Sequence, residues 1–522
     1  MAETDLPSPR WAKLLDQSRC IGCHACTTAC KSENEVPVGV TRTYVKSVDV
    51  GTFPQARRAF QVTRCNQCED APCVAACPTE AMYRRPDGIV DFDKRICIGC
   101  KACMAACPYD AIFINPEDHS AEKCNLCAHR LDIGLEPACV TVCPTEAIIV
   151  GDLGDPASEV SRVVSREPVQ VRRPEKGTRP GVYYKGAHAA TLDPLAARRP
   201  GGGLFAWATQ GREPAGGRSP ASQRAPQTVT SGHPGRGTSQ AAALLSYDVP
   251  HQVPWGWRVS LYTWTKSVAA GGFAVPVLLA GAGYLGWGND VVRWAAPVLA
   301  LAFLAVTGAL LVADLKHPAR FYLIFTRRHW RSWLVRGAVI LGGFGAIAAA
   351  YLAASLAGAG AGTVRQGLGW AGLPLALAAA VYTAFLFGQA KGRDLWQSPL
   401  LAPHLAVQAA LAGAAAVLPL LAWLAPGRAV TADQAVLAVA AGVHAALVAG
   451  EVAQPHATAH ARLAVHEMTL GSQRLPFGIS VVLTLAAVAA PWIGTPAAAL
   501  ALAGLLGYEH AYVQAGQRVP LA

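Results

Sequence analysis

The stretch C-I-G-C-K-A-C-M-A-A-C-P, residues 97–108, decides the fold of the first third of this chain. Its four cysteines have the spacing C-x2-C-x2-C-x3-C, and a proline follows the last of them. Residues 20–30 repeat this spacing, and residues 65–77 (C-x2-C-x4-C-x3-C) and 124–143 (C-x2-C-x11-C-x3-C) vary it. All sixteen cysteines of the 522-residue chain therefore fall into four groups of four.

This spacing is the one by which bacterial ferredoxins hold cubane iron–sulfur clusters. Three thiolates on one tight loop can bind three corners of a cube, and the fourth cysteine points toward a neighbouring cluster. Four complete groups predict four [4Fe–4S] clusters and the transfer of single electrons. We also expect a helix to begin at Pro78, Pro108 and Pro144, which follow the last three groups, because proline fixes φ.

Other uses of cysteine fit the spacing less well. Zinc ribbons also contain C-x2-C pairs, but not a triple followed by a fourth cysteine in four copies. Disulfides suit exported chains, but C-x2-C-x2-C makes no unstrained framework. The string C-I-G-C-H at 20–24 matches a haem-attachment motif, but it is part of a complete four-cysteine group.

Composition favours a membrane protein. Hydrophobic residues make up 52% of the chain, and the net charge is +11. A basic chain raises the possibility of nucleic-acid binding, but we expect none, because a membrane explains the arginine-rich stretches better. The N-terminus contains acidic residues and no apolar core, so we expect no secretory signal.

The chain divides into three regions by composition. Residues 1–190 contain the cysteines, with short β-like runs between the groups, such as 88–91 and 111–114. We predict an α+β domain of two ferredoxin-like dicluster units, whose folding is coupled to cluster insertion. Residues 191–254 are rich in Gly, Pro, Ser and Arg, which predicts a linker, with docking on a partner as the alternative.

Residues 255–522 predict an all-α polytopic membrane domain, because apolar runs long enough to cross a bilayer recur there. Tryptophans cluster near the ends of these runs, as in an aromatic belt. We predict about eight transmembrane helices, near 260–285, 294–315, 333–356, 368–388, 404–424, 435–452, 477–493 and 496–513.

Lysine and arginine predict the orientation of these helices. With eight crossings, the loops on the side of the cysteine domain contain ten basic residues, and the opposite loops contain three. The positive-inside rule then places the cysteine domain in the cytoplasm. We therefore expect a multi-pass protein of the bacterial inner membrane.

Ionisable residues at membrane depth are costly and tend to mark redox or ion sites. A quinone head group needs hydrogen-bond donors and a group that exchanges protons. Our candidates for such a site are Asp314, His317, Arg320, His444 and Glu451, and Lys266, Glu509 and His510 are further ionisable residues in predicted helices.

Two alternatives remain open for these residues. Interfacial Asp, Lys and Arg side chains often pair or reach toward the head groups without further function. His404 and His444 could be axial ligands of a haem, although we expect no haem.

The cysteine half resembles the four-cluster electron-transfer subunits of complex iron–sulfur molybdoenzymes, such as polysulfide, dimethyl sulfoxide and tetrathionate reductases. The likeness covers about residues 12–150 and includes A-C-K-S-E-N at 29–34. The membrane half resembles the polysulfide-reductase-type (NrfD-like) membrane subunit, through Y-T-W-T-K-S at 262–267, residues 314–322 with R-S-W at 331–333, and 512–521. The chain thus looks like a natural fusion of two subunits.

The resemblance implies which cysteines share a cluster, since all sixteen positions match. It implies four sets of ligands: Cys20, Cys23, Cys26 with Cys143; Cys124, Cys127, Cys139 with Cys30; Cys65, Cys68, Cys73 with Cys107; and Cys97, Cys100, Cys103 with Cys77.

The resemblance also implies a function. It predicts a membrane-bound subunit that passes electrons between the quinone pool and a molybdopterin catalytic subunit, which would carry the substrate site. Two alternatives stay open: the electron-input module of a respiratory complex without molybdenum, and a redox complex that translocates ions.

Overall fold

The computed structural model describes residues 9–51, 54–197, 243–358, 360 and 362–522, and it consists of two compact units. Unit 1 contains the described residues up to Pro254 together with Ala390–Arg393 and Val519–Ala522. Unit 2 contains Trp255–Gln389 and Asp394–Arg518.

The largest sheet of unit 1 has four strands in the order β8-β1-β10-β9. Strand β1 (Trp11–Asp16) pairs in antiparallel fashion with β8 (Ile148–Asp152) and in parallel fashion with β10 (Val182–Lys185). Strand β9 (Val169–Gln170) completes the sheet beside β10. Strand β1 is therefore held between two strands that lie far from it in sequence.

A second sheet of three antiparallel strands has the order β11-β2-β3. Strands β2 (Thr43–Val50) and β3 (Arg57–Arg64) form a hairpin, and β11 (Leu244–Tyr247) pairs with β2. Strand β11 falls inside the predicted linker 191–254, so the described end of that region is part of a sheet. Residues 198–242 of the predicted linker lie outside the described residues.

Two short hairpins lie between the cysteine groups. Strand β4 (Met82–Arg84) pairs with β5 (Val90–Phe92), and β6 (Phe113–Ile114) pairs with β7 (Ala121–Glu122). Strands β5 and β6 overlap the β-like runs predicted at 88–91 and 111–114.

The helices of unit 1 are short: α1 (Ala25–Glu33), α2 (Pro72–Ala76), α3 (Ala102–Ala106), α4 (Ala128–Leu131), α5 (Ala138–Thr141), α6 (Glu159–Arg166) and α7 (Ala189–Leu192). Helices α2 and α3 end immediately before Cys77 and Cys107, whose backbone is extended. No helix begins at Pro144 either, since only a turn lies between α5 and β8. The expectation that helices begin at the Cys-Pro prolines is therefore wrong at all three positions. The residue before a proline is driven out of the helical region, so Cys-Pro ends a helix.

Two buried arginines connect the last residues of the chain to the rest of unit 1. Arg172 donates a hydrogen bond to the carbonyl oxygen of Leu521 at 3.3 Å, and Arg393 donates one to the carbonyl oxygen of Val519 at 3.0 Å. Both side chains are almost fully buried. The C-terminal residues are thus an integral part of unit 1.

The described part of unit 2 contains helices and no strand. Its helices are α8 (Trp257–Gly281), α9 (Ala296–Asp314), α10 (Leu323–Thr326), α11 (Trp333–Leu356), α12 (Gly362–Gly388), α13 (Leu401–Leu424), α14 (Arg428–Ala453), α15 (Ala459–Thr469), α16 (Arg474–Ala487), α17 (Ala490–Ile493) and α18 (Pro496–Arg518). A π-helical turn, Val291–Ala295, leads directly into α9.

Five of these helices are long and apolar enough to cross a bilayer: α9 with its π-helical turn, α11, α12, α13 and α14. The number rises to six if α15 and α16, which are bent by 73° at their junction, are counted as one span. A multi-pass membrane domain is thus confirmed. A helix lies at each of the eight predicted places, although α16, at the predicted place 477–493, has only 14 residues. Helix α15 was not predicted.

Helices α8 and α13 approach each other closely at two glycines. A Cβ atom added at Gly271 would contact the carbonyl oxygen of Ala409 and the Cα atom of Gly413. Small residues permit such close contact of backbones, which is how helices pack within membranes. The close packing of α8 against α13 therefore requires that residue 271 has no Cβ atom.

Replacing Gly271 with alanine should lower the thermal stability of the detergent-solubilised protein. Alanine favours a helix over glycine by roughly 0.5–1 kcal/mol, but crowding a packed interior costs about 1–3 kcal/mol. The matched control is Gly308→Ala in α9, where an added Cβ atom meets no neighbour within 4 Å. An unchanged or higher melting temperature for Gly271→Ala would contradict the packing described.

Candidate functional site

Unit 1 contains four cavities, each lined by four cysteines. We name each cavity after its first cysteine: the Cys20 cavity (Cys20, Cys23, Cys26, Cys143), the Cys30 cavity (Cys30, Cys124, Cys127, Cys139), the Cys65 cavity (Cys65, Cys68, Cys73, Cys107) and the Cys77 cavity (Cys77, Cys97, Cys100, Cys103). In each cavity three cysteines come from one sequence group and the fourth comes from another group.

The donor sets fit a cluster. The cavities hold about 250–360 Å³ of space, including the part that is open to solvent, and none of the sixteen cysteines forms a disulfide. A tetrahedral zinc ion would draw its sulfur ligands to about 4 Å from one another, since Zn–S is about 2.3 Å. Among the described residues, no three His, Cys, Asp or Glu side chains converge tightly enough for a single ion. The cysteines instead surround a space, as ligands at the corners of a cluster do.

The repeated loops obtain their shape from backbone in the left-handed region. Gly22 and Gly99 have φ of 70° and 66°, and His24 and Lys101 follow with φ of 62° at the start of α1 and α3. Such a turn directs three successive cysteines toward one point. His24, the histidine of the haem-attachment string, packs edge-on against Tyr247 at 4.8 Å between ring centroids.

Positive charge concentrates at the Cys30 cavity. The Lys13 ammonium donates to Cys139 Sγ at 3.3 Å, and the Arg64 guanidinium donates to the same sulfur at 3.2 Å. Both side chains are buried, with exposures of 0% and 1%. Asn34 is also within 3.7 Å of Cys30 Sγ and 3.6 Å of Cys127 Sγ. These donors stabilise thiolate charge.

These charges reverse the effect of burial on one thiol. Burial raises the pKa of Cys139, but Lys13 and Arg64 outweigh it and lower the pKa to about 7. At Cys26 and Cys30 burial wins and raises the pKa to about 11 and about 12, although the charge of Arg64 opposes it. Lys13 and Arg64 thus stabilise the thiolate of Cys139 by more than burial destabilises it.

The Cys20 and Cys77 cavities have neutral donors from the backbone. The N–H of Ala147 donates to Cys143 Sγ at 3.3 Å, and the N–H of Met82 donates to Cys77 Sγ at 3.3 Å. The N–H of Ala121 donates to Cys97 Sγ at 3.5 Å. Hydrogen bonds to cluster sulfurs raise the reduction potential. These neutral donors should raise it less than the charged donors at the Cys30 cavity do.

In unit 2, two candidates of the sequence analysis lie in one polar cluster. His444 Nδ1 is 2.8 Å from Nε2 of His404, and the Tyr508 hydroxyl donates to Glu451 Oε2 at 3.0 Å. The ring centroids of Tyr508 and His444 are 4.9 Å apart. The side chains come from α13, α14 and α18 and are buried. The two imidazoles contact each other directly, whereas axial ligands of one haem lie on opposite faces of the macrocycle.

The other three candidates lie in a different part of unit 2. Asp314 is the last residue of α9, and His317 and Arg320 belong to the following turn. All three side chains are partly exposed. The predicted set of five thus consists of a buried pair within α14 and a group at the end of α9.

A second buried polar group lies on α8. The Lys266 ammonium is fully buried and donates to the carbonyl oxygen of Ala380, and Thr263 forms a hydrogen bond with Glu509 of α18. A hydrophobic interior tolerates such groups only when they have partners.

Sequence reasoning missed Lys13, Arg64 and Tyr508. A lysine inside the apolar run of β1 and an arginine directly before a cysteine are weak signals, because most lysines and arginines are exposed. Tyr508 precedes the ionisable pair Glu509-His510, but only the fold shows that it faces Glu451.

The fold and the sites define a class: an electron-transfer protein with iron–sulfur clusters and a multi-pass membrane domain. Comparison with known families agrees with it. Residues 11–32 match a 4Fe-4S binding domain, residues 57–153 match a 4Fe-4S dicluster domain, and residues 246–487 match the family described as polysulphide reductase, NrfD.

Similar proteins match the first part of the chain. A subunit of tetrathionate reductase from Salmonella typhimurium is 44% identical over 200 residues, which are 37% of this chain and 78% of that protein. One chain of polysulfide reductase from Wolinella succinogenes is 42% identical over 33% of this chain and 93% of its own length. A putative dimethyl sulfoxide reductase iron-sulfur subunit of Halobacterium salinarum is 42% identical over 33% of this chain and 77% of its own length.

The protein belongs to the family of iron–sulfur electron-transfer subunits of the polysulfide, tetrathionate and dimethyl sulfoxide reductase type, with an NrfD-like membrane domain in the same polypeptide. The expected joining of two modules is thereby confirmed.

Proposed function

We propose that this chain passes electrons between the quinone pool and a molybdopterin catalytic subunit through four [4Fe–4S] clusters. The observation that carries the proposal is the presence of four cavities with four cysteines each. A cluster in each cavity would supply one-electron chemistry, and the protein would position the clusters and adjust their potentials. The names of the similar reductase subunits support a separate catalytic partner.

We propose that the cysteines lining each cavity are the ligands of one cluster. The alternative is that each cluster is held by one sequence group alone. In the proposed arrangement Cys143 serves the Cys20 cavity, although it belongs to the same sequence group as Cys139. The two arrangements therefore predict different results for these two cysteines.

Changing Cys143 or Cys139 to alanine should abolish different clusters. Each variant should lose about one quarter of its iron, because one of four cubanes loses a ligand. Cys143→Ala should remove the same electron paramagnetic resonance signal as Cys20→Ala, while Cys139→Ala should remove the signal that Cys30→Ala removes. Loss of one common signal in Cys143→Ala and Cys139→Ala would refute the crossed arrangement.

We propose that the quinone head group and its protons are handled in unit 2 by the predicted residues Asp314, His317, Arg320, His444 and Glu451. Oxidation of a quinol releases two electrons and two protons, so the site needs a base as well as an electron acceptor. The buried His444 and Glu451, with their partners His404 and Tyr508, support the α14 residues as the proton acceptors.

His444→Phe and Glu451→Gln should slow cluster reduction by a quinol analogue at least tenfold, because they remove a hydrogen-bonding or proton-accepting group. The rate is measured by stopped-flow bleaching of the iron–sulfur absorbance. Reduction by dithionite, which does not use the quinone site, should stay unchanged in the same variants.

Asp314→Asn is the companion variant, since it tests the other half of the predicted site while keeping side-chain size. An effect of Asp314→Asn without any effect of the α14 variants would move the proposed site to the end of α9. Normal quinol reduction in all three variants would overturn the proposed site.

We propose eight membrane crossings with unit 1 on the cytoplasmic side of a bacterial inner membrane. Five described helices are long and apolar enough to cross, and six if the bent pair is one span; the count of eight also includes α8 and α18, which have 25 and 23 residues. The excess of basic residues in alternate loops supports the orientation.

Reporter fusions test this orientation. Alkaline phosphatase joined at the 425–428 loop should be active, because the loop is expected to face the periplasm, whereas the same enzyme joined at the 389–403 loop should be inactive. The reverse pattern would place the iron–sulfur domain outside the cytoplasm.

A further inference from the structure

Two buried cations of unit 1 have no carboxylate partner within the described residues. The Lys13 ammonium donates to Cys139 Sγ, and the Arg64 guanidinium donates to the same sulfur through one nitrogen. The other guanidinium nitrogens of Arg64, Nε and Nη2, are buried and have no hydrogen-bond partner in the described part of the chain. A buried charge is strongly unfavourable unless an opposite charge lies beside it.

Arg42 differs from Lys13 and Arg64 because it has a carboxylate partner. Arg42 also lines the Cys30 cavity, but its guanidinium forms an ion pair with Glu122 at 2.9 Å. Its charge is therefore already balanced by protein. Among the described residues, only cysteine sulfur balances the charges of Lys13 and Arg64. The negative group that they would stabilise is therefore a cluster bound by the thiolates of this cavity.

We infer that Lys13 and Arg64 are the counterions of the iron–sulfur cluster in the Cys30 cavity and make it easier to reduce than the cluster in the Cys20 cavity. The inference rests on the proposed function, since it takes a cluster to be present in each cavity. Both residues act through Cys139 and bind no iron themselves, so they are positioning residues that place positive charge beside the cluster.

The physical reason is electrostatic. Uptake of one electron adds one negative charge to a cluster and its thiolates, and a nearby cation stabilises the more negative state. Burial strengthens this effect, because a low-dielectric interior screens charge less than water does. Two cations on one ligand sulfur should therefore raise the reduction potential of that cluster.

The two residues should act on the same cluster. Lys13 and Arg64 both line the Cys30 cavity and both donate to Cys139, whereas neither lines the Cys20 cavity. Removing either charge should therefore act mainly on one cluster, which separates a local electrostatic effect from a general loss of structure.

The test is a redox titration of the full chain in detergent, followed by electron paramagnetic resonance. Lys13→Met should lower the equilibrium constant for reduction of the Cys30-cavity cluster about tenfold, which is about 59 mV for one electron. Arg64→Met should lower it by a similar factor, and both variants should shift the potential of the Cys20-cavity cluster less. The charge-preserving variants Lys13→Arg and Arg64→Lys should retain most of the original potential.

The matched control is Lys185→Met in β10, the strand beside β1. Lys185 pairs with Glu167 at 2.7 Å and is partly exposed, so its charge is already balanced. Its removal should leave all midpoint potentials unchanged. An equal shift in Lys185→Met and Lys13→Met would overturn the inference, because net charge alone would then explain it.

The order of reduction in the unmodified chain provides a second measurement that does not depend on how the Lys13 and Arg64 variants fold. The signal that Cys139→Ala removes should appear at a higher potential than the signal that Cys20→Ala removes. The opposite order overturns the inference, as does an unmoved midpoint in Lys13→Met with all clusters loaded. Fewer than four clusters in the unmodified chain would instead overturn the proposed function.

Discussion

Sixteen thiols collected inside one small unit are the constraint on which the rest of unit 1 depends. Twelve of them are buried, none is in a disulfide, and they surround four cavities. A core of apolar side chains could not take their place, because the described sheets have at most four strands and the described helices near the cavities have nine residues or fewer. Apolar side chains such as Leu15, Val45 and Val62 pack beside these cysteines, and we expect the folding of this unit to be coupled to cluster insertion.

Unit 2 is stabilised in a different way, by the packing of long apolar helices. Its backbone is satisfied internally by helices, as a bilayer demands, and close packing comes from glycine contacts such as Gly271 with Gly413. Into this apolar framework it places a few buried polar side chains that bond to one another, such as His404 with His444 and Tyr508 with Glu451. Such side chains are costly in a membrane and tend to mark redox or ion sites.

The sequence predicted the features that depend on the spacing of neighbouring residues. It did not predict the contacts that form where segments distant in sequence meet. The cysteine spacing indicated iron–sulfur chemistry, and apolar runs located the long helices, including 333–356, where the helix is Trp333–Leu356. The roles of Lys13 and Arg64 depend on the pairing of strands and could not be read from their neighbours along the sequence. Cys77 and Cys107 show a further limit: a proline after a cysteine fits either end of a helix, and only the local backbone decides.

The position of β1 has a consequence for the timing of synthesis. The backbone N–H of Arg10, immediately before β1, donates to a carboxylate oxygen of Asp152, which lies 142 residues later in the chain. Ribosomes add about 5–20 residues per second, so roughly 7 to 28 seconds separate the making of the first strand from that of its neighbour. During this interval the cysteines of the first group exist without the sheet that will enclose them. The cell must keep nascent thiols reduced and out of reach of stray metal ions for longer than most small domains take to fold.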